Sequence, residues 1–92
     1  MPLLALLFLF WQSDPAALGM KALEDQKFDQ AVAHFAAALK IAPDDLGANF
    51  HYGLSLSMVN RDPEAIVAYE KVLAKHSDRF EAQLNLGVIK KA

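Results

Sequence analysis

The chain matches itself when it is shifted by 34 residues. Gly19, Gly53 and Gly87 are separated by 53 − 19 = 34 and 87 − 53 = 34 positions. The same shift pairs Leu18 with Tyr52 and Leu86, Ala31 with Ala65, Phe35 with Tyr69, Ala38 with Val72, and Leu39 with Leu73. Small positions fall on small and large apolar positions on large, so what repeats is a packing pattern. A period of this length marks a supersecondary unit that cannot bury its apolar face alone and does so by stacking on a copy of itself. That excludes most single-core architectures before any element is assigned.

Within each period the apolar spacing is helical. Ala31, Phe35, Ala38, Leu39 and Ala42 recur at one-turn and two-turn intervals, and Ala65, Ile66, Tyr69, Val72 and Leu73 do so again. Asp14-Pro15 and Asp62-Pro63 have the form of helix starts, an aspartate to accept from free backbone N–H groups and a proline whose missing donor costs nothing in the first turn. Pro43, Asp44 and Asp45 stop one helix and start the next, while 26–29 and 60–62 supply turns inside each pair. The pattern predicts helices near 14–25, 29–41, 46–58, 63–75 and 79–90, an all-α chain of antiparallel helix-turn-helix units.

These residues resemble the tetratricopeptide repeat family, whose pattern runs W-x2-L-G-x2-Y, A-x3-F and P. The first period offers Leu18-Gly19 with Ala22, then Ala31, Phe35, Ala38 and Pro43. The second offers Tyr52-Gly53 with Leu56, then Ala65, Tyr69 and Val72, and the third reaches Leu86-Gly87. Pro15 or Ala16 stands near the usual tryptophan, Ser77 replaces the closing proline, and Lys90 falls where an apolar residue is expected. The resemblance implies about two and a half repeats, at 14–45, 46–79 and 80–92, stacked as a short right-handed solenoid. It also implies a binding scaffold whose concave face is lined by the first helix of each pair.

Carried over by register, Met20, Leu23, Phe50, His51, Leu54, Met58, Leu84 and Val88 are the partner-binding candidates, alongside Ala16, Glu24, Ser57, Glu81 and Asn85. Some family members hold a C-terminal carboxylate with Lys, Asn and Arg on this face. Here Ala16, Met20 and Leu54 stand there, which disfavours such a clamp. Methionine adapts to irregular partners and aromatic residues anchor interfaces, so an extended or helical apolar polypeptide segment is the expected occupant. The alternatives are a structural self-assembly element, with a homo-oligomer formed through the open C-terminal helix, and the N-terminal part of a longer array.

Residues 3–11 form an unbroken apolar run ahead of Gln12, Ser13 and Asp14. As a helix it would reach roughly 14 Å, too short to span a bilayer but suited to a signal-peptide core. We therefore expect a hydrophobic leader over 1–13 and an exported or periplasmic protein, otherwise cytoplasmic, touching membrane only through the leader. No basic residue precedes the run and no A-x-A-like site follows it, so whether the leader is cleaved stays open.

Chemistry is sparse. A net charge of −2 gives no basic field for nucleic acid, and with no cysteine there is no thiolate metal site or catalytic thiol. His34, His51 and His76 have no second ligand at metal spacing, and the acidic pairs Asp44-Asp45 and Asp62/Glu64 sit where helix caps are needed. Nucleophile-elbow and phosphate-loop motifs are absent. The expectation is no enzyme, no cofactor and no metal.

If the register is right, Ala65→Leu overpacks the second pair and costs about 1–3 kcal/mol, and Tyr69→Ala opens a cavity costing a few kcal/mol. Thermal denaturation checks both, and unchanged midpoints would refute the register.

Overall fold

The computed structural model describes residues 14–75. They form four α-helices: α1 (Pro15–Glu24), α2 (Phe28–Ile41), α3 (Leu46–Met58) and α4 (Asp62–Lys75). α1 packs on α2, α2 on α3 and α3 on α4, with a lighter contact between α1 and α3. The described chain is thus two helix pairs joined by an intimate middle contact. The predicted helix at 79–90, the half repeat and the 1–13 leader lie outside the described residues.

The 34-residue match is explained by two equivalent contacts. A Cβ built on Gly19 would lie 2.7 Å from Cζ of Phe35, and one on Gly53 would lie 2.8 Å from Cε1 of Tyr69. Real side chains do not approach so closely, so each glycine is the floor on which the aromatic ring of the following helix rests. Phe35 and Tyr69 are fully buried there, as are Ala31 and Ala65, one helical turn before them. The alanines keep the helices close enough for the rings to reach the glycines. Burying each ring is worth roughly 1.5–3 kcal/mol.

The two contacts are linked across the boundary between the pairs. The rings of Phe35 and His51 stack at 5.7 Å, His51 meets Phe50 edge-on at 5.3 Å, and Phe50 lies 5.8 Å from Tyr69. Tyr52 packs against the buried clusters of both pairs. Its counterpart by register, Leu18, is exposed because it has no preceding pair among the described residues to lie against. α3 touches helices on both sides and buries Ala48, Asn49, Gly53, Ser55 and Leu56. Its one fully buried hydroxyl, on Ser55, donates to the His51 carbonyl at 2.8 Å, so no donor is stranded.

Turn chemistry also repeats at the period. Gln26 has φ 57° and Asn60 φ 63°, and 60 − 26 = 34. Each is the left-handed residue that ends the first helix of its pair. Gln26 N–H donates to the Leu23 carbonyl and Lys27 N–H to Ala22, while Asn60 N–H donates to Ser57 and Arg61 N–H to Leu56. These are the paired bonds of a Schellman ending, which satisfies carbonyls the helix leaves orphaned.

The helix starts follow the expected caps with one correction. The Oδ1 of Asp14 accepts from Ala16 N–H at 3.1 Å, and that of Asp45 from Ala48 N–H at 3.0 Å. Asp62, expected to precede its helix, is instead the first residue of α4, and the Ala65 N–H goes to the Arg61 carbonyl. Asp62 and Glu64 then act through the helix dipole from inside the first turn. Ala42, placed in the apolar stripe by its spacing, is exposed, because α2 ends at Ile41 and the chain turns away. Ile66, Leu39 and Leu73 are half-buried, with Ala65, Tyr69 and Val72 forming the deeper line.

Asn49, which no periodicity marks, closes the connection between the pairs. Only 3% exposed, its amide donates to the carbonyls of Pro43 at 3.0 Å and Asp45 at 2.9 Å. Asn49→Ala removes that donor from the Pro43 carbonyl and is expected to cost about 1–3 kcal/mol in urea denaturation. A left-handed conformation costs an ordinary side chain roughly 1–2 kcal/mol, against about 0.5–1 kcal/mol for the extra unfolded-state entropy of glycine. Gln26→Gly should therefore raise stability by up to about 1 kcal/mol, whereas Asn60→Gly should change it little, since asparagine tolerates this region. The two denaturation midpoints check that order.

Candidate partner-binding face

The first helix of each pair, α1 and α3, carries the residues singled out from register. Along α1, Ala16, Met20, Leu23 and Glu24 recur at helical spacing; along α3, Phe50, Leu54, Ser57 and Met58 do the same. The shift by 34 carries Ala16 to Phe50, Met20 to Leu54, Leu23 to Ser57 and Glu24 to Met58. The two stripes therefore occupy equivalent positions, but their chemistry agrees only in part, since Leu23 falls on Ser57 and Glu24 on Met58. Glu24 is their single ionised residue, and they hold no lysine or arginine.

Burial sorts these residues into two kinds. Met20 and Met58 are exposed, at 39% and 49% of their surface. Leu23 and Phe50 are half-buried, Leu23 against Ala22, Ala31 and Phe35, and Phe50 against the cluster holding Leu56 and Tyr69. Leu54 is half-buried. The inner members tie the stripe to the core, and the methionines stand out from it. Leu84 and Val88 lie outside the described residues.

His51 has a structural assignment. Its Nδ1 lies 2.8 Å from the Gly47 carbonyl, which fixes Nδ1 as the protonated nitrogen, since a carbonyl can only accept. Stacked on Phe35 and edge-on to Phe50, the ring is a spacer between the two pairs. The structure joins Phe50 and His51 directly; Leu54 and Met58 lie on the same helix, α3, and Met20 lies on α1 at the position equivalent to Leu54.

Off the stripe the surface mixes charged groups with the exposed apolar side chains of Leu18, Ile41 and Val67. Arg61 donates from Nε and Nη2 to both carboxylate oxygens of Glu64, at 2.9 and 2.7 Å. That pairing holds the Glu64 carboxyl below, and the Arg61 guanidinium above, their usual ranges. Both side chains are solvent-exposed, so water and salt screen the pair. Depressions lie away from the first-helix stripe, one at the turns, lined by Gln26, Lys27, Phe28, Asp29, Gln30 and Val59, and others along α4 that share Asn49 and Lys71. None of these depressions is lined by Met20, Leu23, Phe50, Leu54 or Met58. Among the described residues no helix is long and apolar enough to cross a membrane.

No protein-family profile matches the chain. It is similar to a peroxisomal targeting signal receptor of Candida albicans, 39% identical over 71 residues that cover 77% of this chain and 12% of that protein. The receptor of the same name in Candida glabrata is 37% identical over 71 residues, with the same coverage of 77% and 12%. A tetratricopeptide repeat-containing protein, trd-1, of Caenorhabditis elegans is 31% identical over 70 residues, covering 76% of this chain and 9% of that protein. The chain thus spans about an eighth or less of the length of these relatives. Their names are those of receptors and of a repeat-containing protein, and none denotes a reaction. With its two helix pairs and its internal period, the chain is similar over most of its length to proteins that include a named tetratricopeptide repeat protein.

Proposed function

We propose that the chain is a tetratricopeptide-type array and that it works as a protein-protein interaction scaffold, binding an apolar extended or helical polypeptide segment along the first-helix stripe. The observation that carries this reading is that the equivalent positions of α1 and α3 are mostly apolar and hold a single ionised residue, Glu24, with Met20 and Met58 standing exposed among them. An apolar partner would lose water against Met20, Leu54 and Met58, while Leu23 and Phe50, seated on the core, supply rigid anchors. Partner residues with basic flanks would suit the lone Glu24. The relatives' names, a targeting signal receptor and a repeat protein, support recognition of polypeptide over catalysis. In this reading the chain needs no cofactor, and its net charge of −2 offers nothing to nucleic acid.

Export is proposed on the apolar run at 3–11 alone. Intact-mass measurement of the protein recovered from its native cell decides whether 1–13 are present.

A second reading, self-assembly, is favoured by apolar surface off the first-helix stripe, the exposed Val67 on α4 and Ile41 at the end of α2. Both readings are tested together. A fluorescein-labelled amphipathic helical peptide, with a leucine stripe and lysines on the opposite face, is titrated onto the full chain. Leu54→Ala and Phe50→Ala should each weaken binding by about 1–2 kcal/mol, roughly five- to thirtyfold in Kd, with the helical circular dichroism kept. Loss of helicity in parallel with loss of binding would return these residues to a purely structural role. Light scattering at a multiple of 10.1 kDa, with no peptide binding, would favour self-assembly.

A further inference from the structure

We infer that Met20 and Met58 are an oxidant-sensitive pair through which a peroxide-class oxidant lowers the affinity of the first-helix stripe for its partner. The inference rests on the reading of that stripe as a binding surface and adds its regulation.

The chain has no cysteine and three methionines, at positions 1, 20 and 58. Thioethers are therefore its only soft sulfur nucleophiles, with no thiol to intercept an oxidant first. The two methionines within the described residues are both exposed and both on the stripe, one on each first helix. Neither belongs to the buried clusters around Phe35 and Tyr69. Reactivity and function are thus placed on the same atoms, and the core carries none of the risk.

The step balances with one peroxide per sulfur. A sulfur lone pair attacks a peroxide oxygen, the O–O bond breaks as the S–O bond forms, and the departing oxygen takes a proton to leave as water or an alcohol. Sulfur loses two electrons and the peroxide gains them. The product is a polar, chiral sulfoxide in place of a flexible apolar chain, and reductases specific for its two epimers reverse it. On an apolar contact surface that oxygen must either keep its water or be buried without a donor, and either outcome opposes the partner. Because Met20 and Met58 lie outside the core, the fold should not register the change.

The full chain is treated with hydrogen peroxide, and each methionine is followed by peptide mass mapping beside N-acetylmethionine amide as a fully exposed standard. Affinity for the labelled leucine-stripe peptide is measured before treatment, after it, and after methionine sulfoxide reductase. The expected result is oxidation of Met20 and Met58 within a few-fold of the standard's rate and a loss of affinity of about tenfold or more, restored by the reductase. The thermal midpoint should stay where it was. In the M20L/M58L double variant, which retains Met1, the ratio of treated to untreated affinity should be one, whatever the untreated value. Slow oxidation at either site, unchanged affinity of the doubly oxidised chain, or a treated-to-untreated loss that persists in the double variant would each overturn the inference. Failure of the untreated chain to bind the peptide would instead remove the binding surface itself, and the regulation with it.

Discussion

Everything described here depends on an aromatic ring lying flat against a glycine of the helix before it. Gly19 under Phe35 and Gly53 under Tyr69 set how closely each pair can approach, because any larger residue would meet the ring at under 3 Å. With that separation go the completely buried alanines at 31 and 65 and the short turns with left-handed residues at 26 and 60. The same contact made twice gives two similar units whose first helices present equivalent positions. A surface repeated in this way can be read as a single extended one.

Much of the fold was legible in the sequence because small and large residues alternate at a fixed period, and sterics translate that directly into proximity. The Gly-aromatic contacts, the buried alanines and the caps at Asp14 and Asp45 are of this kind. Asn49 was not, since one polar residue in an apolar helix gives no periodic signal and its importance comes from two carbonyls in the preceding loop. Nor could spacing tell that Asp62 sits inside its helix, because a shift by one residue leaves the hydrophobic pattern intact. Leu18 and Tyr52 share a register position yet differ in exposure, since burial depends on neighbours that a residue's own repeat does not contain.

The candidate face was legible only in outline. Register places Met20, Leu23, Phe50, Leu54 and Met58 on the first helices, but it cannot separate anchors from contacts. The structure makes that separation by burial: Leu23 and Phe50 are partly spent on the core, the methionines are not, and His51 is held by Gly47 between two aromatic rings. These contacts give the histidine a place in the packing between the two pairs.

The line of rings from Phe35 through His51 and Phe50 to Tyr69 has a consequence for how the chain comes apart. In stacked arrays, stability is a sum of terms within units and terms between neighbours, and the balance decides whether units melt singly or as a block. Here the between-unit term runs through the same Phe35 and Tyr69 that close each unit. To loosen one pair is to withdraw a ring from the other, so the two lose their structure as one cooperative body.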